Sequence, residues 1–248
     1  MTWSIIALDE ASGALGTIVV SRFLALGSLG PHGCGGLGLV VTQAMADPMS
    51  GPQALRLVGE GCETARIPER VLGGGPAGAA RQLHMIDAGG RVAAHSDEGC
   101  EPWYGQASGR CVSVAGNGLP GPAVIEATLE AYERSGDSRF GARLLRAMQA
   151  GEAVSGKTDE RRTAVLRIYG DRPFPLLDLR VDDHQDALNR LAAVYVSGAD
   201  DCIRFAEAVC SRAHPQDVAA DAVFARPQPG KPVAYRARAS AAGRFSRI

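Results

Sequence analysis

With 248 residues, 46% of them hydrophobic and 21% charged, the chain has the balance of a soluble protein with one large domain, alone or with a small appendage. A formal net charge of -1 argues against nucleic acid or a membrane surface as the main partner. No window matches a transmembrane helix and the start lacks a signal peptide's basic residues and apolar stretch, so a cytoplasmic location is expected.

The opening run Thr2-Trp3-Ser4-Ile5-Ile6-Ala7-Leu8-Asp9 is short and apolar, which predicts a strand. Residues 15–21 are rich in β-branched side chains and follow turn chemistry at Asp9 to Gly13, so the chain is expected to begin with a hairpin. Residues 27–36 hold five glycines and Pro31, a loop, before a third strand over 37–42 that ends in Thr42-Gln43. Ala54, Leu55, Val58 and Cys62 recur at helical spacing and predict a helix over 51–66 with Ser50 as its cap. The glycine-rich stretch 73–78 predicts a flexible crossing, since no Gly-Lys-Ser/Thr ending makes it a phosphate loop.

Strands over 82–86 and 91–95 flank Asp87-Ala88-Gly89-Gly90, a hairpin signal. An irregular segment precedes a strand over 111–115 and the run Gly116-Asn117-Gly118. One helix follows with Val124, Ile125, Thr128, Leu129 and Tyr132 on a single face, and another carries Phe140, Leu144, Leu145 and Met148. Strands over 163–169 and 176–181 and helices over 186–196 and 200–212 complete the pattern. Grouped strands interleaved with helix pairs point to helices packed on antiparallel sheets, an α+β class. Beyond Pro215 the chain is rich in Ala, Arg and Pro, and 215–248 is expected to be a disordered tail.

The six cysteines (Cys34, Cys62, Cys100, Cys111, Cys202, Cys210) are scattered, without a Cys-x-x-Cys pair or zinc spacing. They are expected as reduced thiols, with no metal site. A cysteine enzyme pairing Cys34 or Cys100 with His32 or His95 would rest on proximity in sequence alone.

Thr2 stands directly behind Met1, and a small second residue lets an initiator methionine be trimmed. A threonine hydroxyl needs a base to become nucleophilic, and a free α-amine on the same residue, with an ordinary pKa of about 7.7–8.0, supplies one. Trimming without catalysis explains a small second residue equally well.

The order of elements resembles the front half of the N-terminal-nucleophile hydrolase fold. More narrowly, the runs Thr2-Trp3-Ser4-Ile5, Val19-Val20-Ser21-Arg22-Phe23, Val41-Thr42-Gln43-Ala44, Gly116-Asn117-Gly118-Leu119 and Asp178-Leu179-Arg180-Val181-Asp182-Asp183-His184 resemble the family known as domain of unknown function 1028. The resemblance covers roughly residues 2–196. It implies a four-layer αββα sandwich of the Ntn-hydrolase type over 1–197, followed by a closing helix over 198–214 and the tail.

The resemblance also implies roles. Thr2 would be the nucleophile and its freed amine the general base. Arg22 would lower the amine's pKa or hold a substrate carboxylate, unless it forms a surface ion pair. Thr42, Gln43 and Ala44 fall where related hydrolases offer an oxyanion donor, a backbone N–H or the Gln43 amide, unless they form a plain strand-end turn. Asn117 faces the cleft or caps the helix after it. Trp103 walls a substrate pocket or packs. Asp182-Asp183-His184 is read as a helix start in preference to a metal or acid/base group. The chain departs from the family's pattern at Glu160, Arg162 and Thr163, where Gly, Gln and Ser are expected, and at Trp103-Tyr104-Gly105 in place of Trp-Ala-Gly.

The function so implied is an amidohydrolase that cleaves a C–N bond of a small molecule or peptide without metal or cofactor. The alternative is a non-catalytic small-molecule-binding or assembly protein on the same fold. Exposed helical layers make a homodimer the expected assembly.

Overall fold

The opening hairpin forms as the side-chain pattern predicts, from β1 (Thr2–Asp9) and β2 (Ala14–Ser21). Its turn is closed by Ser12, whose hydroxyl donates to the Asp9 carboxylate, and by Gly13 at φ 68, a left-handed conformation that glycine adopts without a Cβ penalty. The computed structural model describes residues 1–73, 79–100, 102–137, 139–156 and 161–208.

The hairpin sits at the centre of a six-stranded antiparallel sheet. β1 also pairs with β8 (Val112–Asn117), which pairs with β7 (Tyr104–Gly109); β2 also pairs with β9 (Thr163–Tyr169), which pairs with β10 (Pro175–Val181). A second antiparallel sheet runs β3 (Pro31–Cys34), β4 (Gly38–Ala44), β5 (Arg81–Asp87) and β6 (Val92–Ser96). Among the described residues five α-helices accompany them: α1 (Ser50–Gly59), α2 (Ile67–Leu72), α3 (Ala123–Arg134), α4 (Phe140–Val154) and α5 (Ala187–Ala208).

Successive strand residues point to opposite faces, and β1 divides accordingly. Trp3, Ile5 and Ala7 join a cluster with Phe140, Leu144 and Leu191 from α4 and α5. Ile6 turns the other way, into a cluster with Leu15, Val19, Leu39, Val41 and Ile86 that fills the space between the sheets. A third cluster packs Val40, Leu83 and Met85 of the second sheet against Ala54, Leu57, Ile67 and Leu72 of α1 and α2. Burying each Val, Leu, Ile, Phe or Met side chain of these clusters stabilises the fold by about 1.5–3 kcal/mol. Among the described residues no helix is long and apolar enough to cross a membrane.

Several elements differ from expectation. The glycine-rich loop contains β3, and the irregular segment before β8 is β7, so two strands went unrecognised. The helix expected over 51–66 ends at Gly59, because Gly61 takes φ 80 and turns the chain before α2. Ser50 lies inside that helix and its hydroxyl donates to Asp47, 3.2 Å away, instead of capping. The two closing helices are one, α5, since Ser197 Oγ donates back to Val194 O at 2.9 Å and offers no cap to a new helix. The expected linker at 74–78, Glu160, Cys210 and the tail over 215–248 lie outside the described residues.

Candidate active site

One rung of the six-stranded sheet is polar from strand to strand. Thr163 of β9 lies opposite Ser21 of β2, Ser21 opposite Thr2 of β1, and Thr2 opposite Asn117 of β8. The alternation that sends Trp3 and Val20 toward the helices turns these four toward the second sheet. All are buried. Thr2 Oγ1 lies 2.8 Å from Ser21 Oγ, which also accepts the Phe23 N–H at 3.0 Å. Thr163 Oγ1 donates to Asp182 O at 2.9 Å.

Met1 covers this rung from the open end. Its carbonyl accepts the Arg22 N–H at 3.2 Å. Its backbone lies against Gly118, where a Cβ would come within 3.0 Å of Met1 Cα. Arg22 itself is exposed beside the rung.

Behind the rung lies a second set of polar side chains, shared between the two sheets. Asn117 Nδ2 donates to Gln82 Oε1 at 3.1 Å, and Gln43 Nε2 donates to the same oxygen at 2.5 Å. Gln82 Nε2 donates to Gly116 O at 3.1 Å and Ser96 Oγ at 2.8 Å. Ser4 Oγ donates to Gln43 Oε1 at 2.8 Å and lies 2.8 Å from His84 Nε2, while His84 Nδ1 lies 3.1 Å from Ser113 Oγ. Burial pushes the His84 pKa down to about 3, which keeps the ring neutral.

The expected site residues divide. Thr2, Gln43 and Asn117 come together at one end of the inter-sheet space, with Arg22 at its edge. Asn117 does not cap a helix: α3 begins six residues later, at Ala123, and the Asn117 amide is bonded to Gln82. Thr42 points to the α1–α2 side of its sheet with Val40, and its buried Oγ1 has no partner among the described residues. Trp103 packs on the helix-side cluster over Gly105, on the face of the sheet away from Thr2. Both Gln43 amide groups are engaged, one by Gln82 and one by Ser4. Ala44, next in the chain, takes φ 65, an uncommon conformation for a residue with a Cβ.

Asp183 pairs with Arg162 at 2.6 Å and Asp182 with Arg180 at 3.1 Å, so both carboxylates serve ion pairs ahead of α5. Burial raises the Cys34 thiol and pushes Cys100 up to about 11, the wrong direction for a nucleophile. A cleft of about 340 Å³ lies at the far end of β1, lined by Asp9, Glu10, Arg110, Tyr132 and Arg143, away from the polar rung. Sequence reasoning assigned no role to Ser21, Ser4, Gln82, His84 or Ser113. The signal was present as polar residues alternating with apolar ones along β1, β2, β5 and β8.

A family model for DUF1028, a family of unknown function, matches residues 2–191. The chain belongs to this family. Every residue of the rung and of the polar set behind it falls inside the DUF1028 span. Protein SPO2555 from Silicibacter pomeroyi, whose crystal structure carries the DUF1028 designation, is 26% identical over 82% of this chain and 90% of that one, with a TM-score of 0.74. Anbu (ancestral beta-subunit) from Yersinia bercovieri is 12% identical, with a TM-score of 0.39 over 80% of this chain and 94% of that one. No curated protein matches the chain.

Proposed function

We propose that this DUF1028 chain is an N-terminal-nucleophile amidohydrolase with a four-layer αββα sandwich, and that it cleaves a C–N amide bond of a small molecule or peptide with Thr2 as nucleophile. The observation that carries the reading is the polar rung: Thr2 opens β1 facing the inter-sheet space, with Oγ1 2.8 Å from Ser21 Oγ and Asn117 directly opposite.

Removal of Met1 frees the Thr2 amine and opens the rung. The amine takes the Oγ1 proton as Oγ1 bonds to the substrate carbonyl carbon, and the carbonyl oxygen becomes an oxyanion. The same proton then goes to the leaving nitrogen as the C–N bond breaks, leaving an ester on Thr2. Water, deprotonated by the amine, releases the acid and restores the hydroxyl.

The Arg22 N–H, which donates to the Met1 carbonyl while Met1 is present, becomes available beside the nucleophile. In the Thr42–Ala44 segment, Thr42 N–H donates to Gly30 O at 2.9 Å and Met45 N–H to Ala80 O at 2.7 Å. Antiparallel alternation turns the intervening Ala44 N–H away from β5. We assign the oxyanion to that N–H, a contact of the kind worth roughly 2.7–4 kcal/mol.

The test is the mature N-terminus by mass spectrometry, together with labelling by a threonine-directed β-lactone. Retained Met1 with no Thr2 adduct overturns the mechanism. The second reading, a non-catalytic binding protein, rests on the 340 Å³ cleft at the opposite end of β1. Thr2 labelling that survives Arg143→Ala and Arg110→Ala decides for the rung.

A further inference from the structure

The hydrogen-bond directions behind the rung can be deduced one from the next, starting at a backbone carbonyl. Gly116 O only accepts, so the Gln82 atom 3.1 Å away is its NH2 group. Gln82 Oε1 therefore faces Gln43 and Asn117, and both must present their NH2 groups to it. Gln43 Oε1 then faces Ser4 and takes the one hydroxyl proton that Ser4 has. With that proton committed, the 2.8 Å contact between Ser4 Oγ and His84 requires His84 to donate from Nε2. A neutral ring protonated at Nε2 has a bare Nδ1, and this accepts from the Ser113 hydroxyl at 3.1 Å. No step conflicts with another, and the two Gln82 Nε2 protons are shared among Ser96 Oγ, Gly116 O and Gly105 O, the last at 3.3 Å.

The consequence falls on Asn117. Its NH2 group is held inward by Gln82, so its carbonyl oxygen is turned the other way. Among the described residues Oδ1 receives no hydrogen bond, yet it is not sealed from solvent. Asn117 lies directly across from Thr2, so this oxygen is an unengaged acceptor at the nucleophile's end of the inter-sheet space.

We infer that Gln82, oriented by Gly116 O and joined in one proton-ordered relay to Gln43, Ser4, His84 and Ser113, fixes the Asn117 amide as a hydrogen-bond acceptor for an N–H group of the substrate. Asn117 is thus not an oxyanion donor, and the substrate class narrows to amides with an N–H donor beside the scissile carbonyl. The substrate role rests on Thr2 being the nucleophile; the relay does not. Gln82 is a positioning residue, since it acts on the substrate only through Asn117. A relay confined to stitching the two sheets together would leave substrate preference untouched.

Two measurements separate these claims. The first is the 15N spectrum of histidine-labelled full-length protein. His84 is expected as the Nε2–H tautomer, and Gln43→Met, which releases the Ser4 proton, is expected to move population to the Nδ1–H tautomer in a chain that still melts cooperatively. An Nδ1–H ring in the unaltered protein, or no change in Gln43→Met, overturns the relay.

The second is Thr2 labelling by a peptidyl epoxyketone against its analogue N-methylated beside the ketone. The parent protein is expected to prefer the N–H probe by about tenfold, a preference that Asn117→Ala and Gln82→Met abolish while Asn117→Asp keeps part of it. Equal rates for both probes in the parent protein overturn the acceptor role. Labelling by neither probe overturns the nucleophile and the substrate role together, while the tautomer result still decides the relay.

Discussion

Thr2 Oγ1 and Ser21 Oγ lie 2.8 Å apart at the first rung of the β1–β2 hairpin. The Ser21 oxygen already accepts the Phe23 N–H at 3.0 Å, so its own proton is available for Thr2. Ser21→Ala removes the one side-chain partner that the Thr2 hydroxyl has among the described residues and is expected to slow β-lactone labelling of Thr2 by about tenfold, at a stability cost of about 1 kcal/mol. Ser21→Thr, which keeps a hydroxyl on a strand-compatible side chain, is expected to retain most of the rate. Equal labelling in Ser21→Ala and the parent protein would remove Ser21 from the site.

His84 makes folding sensitive to acid. The polar groups packed on its ring are the Ser4 and Ser113 hydroxyls, and burial lowers its pKa from 6.5 to about 3. Between those values the unfolded chain binds a proton that the folded chain does not. The contribution is therefore complete above pH 6.5 and is lost as the pH falls toward 3, by about 1.4 kcal/mol per pH unit. Urea unfolding at pH 7.5, 5.5 and 4.5 is expected to show a shallower pH slope for His84→Gln than for the parent protein. Coincident slopes would mean that His84 ionises normally in the folded chain.

Gly16 is where β2 meets α4 with no space for a methyl group. A Cβ there would come within 2.6 Å of Phe140 Cε1 and 2.7 Å of Leu144 Cδ1. Gly16→Ala is expected to cost about 1–3 kcal/mol in urea unfolding. Phe140→Leu in the same chain is expected to return part of that loss, a coupling measurable in a double-mutant cycle.

Arg161 connects the region after α4 to the first strand. Its guanidinium donates to Glu152 at 2.8 Å and to Gly156 O at 2.6 Å, and lies 5.3 Å from the centre of the Trp3 ring. The Arg161 side chain is 6% exposed, so Arg161→Ala leaves Glu152 partly buried without its partner. The expected loss is about 3 kcal/mol by thermal or urea unfolding, with a change in Trp3 fluorescence. Removing both partners, in Arg161→Met with Glu152→Leu, is expected to recover much of it.

The central hairpin was legible because β1 and β2 carry continuous apolar and β-branched runs, and the helix α3 because its apolar residues follow a 3.6 period. β3 and β7 were hidden for a chemical reason. Pro31 and Gly33, and the small residues Gly105, Ala107, Ser108 and Gly109, have little strand preference of their own, and these segments extend because β4 and β8 offer them a paired edge.

The relay was hidden differently. Gln82 and His84 alternate with Leu83 and Met85, a pattern that reads as a strand with one face in water. Here that face meets the other sheet, and tertiary packing converts a solvent face into a buried network. The same packing explains Trp103: its ring fills space over Gly105 on the helix side, a placement that follows from the missed strand β7. Thr2 was legible by type and position, and its facing residues Ser21, Asn117 and Thr163 emerge only from the strand register.

The most direct measurement is the intact mass and N-terminal peptide of the purified chain, before and after incubation with a threonine-directed β-lactone. The account predicts a mature protein that begins at Thr2 and gains one adduct, mapped to the Thr2 side chain and absent from Thr2→Ala. A chain that keeps Met1 and gains no adduct at Thr2 would contradict it.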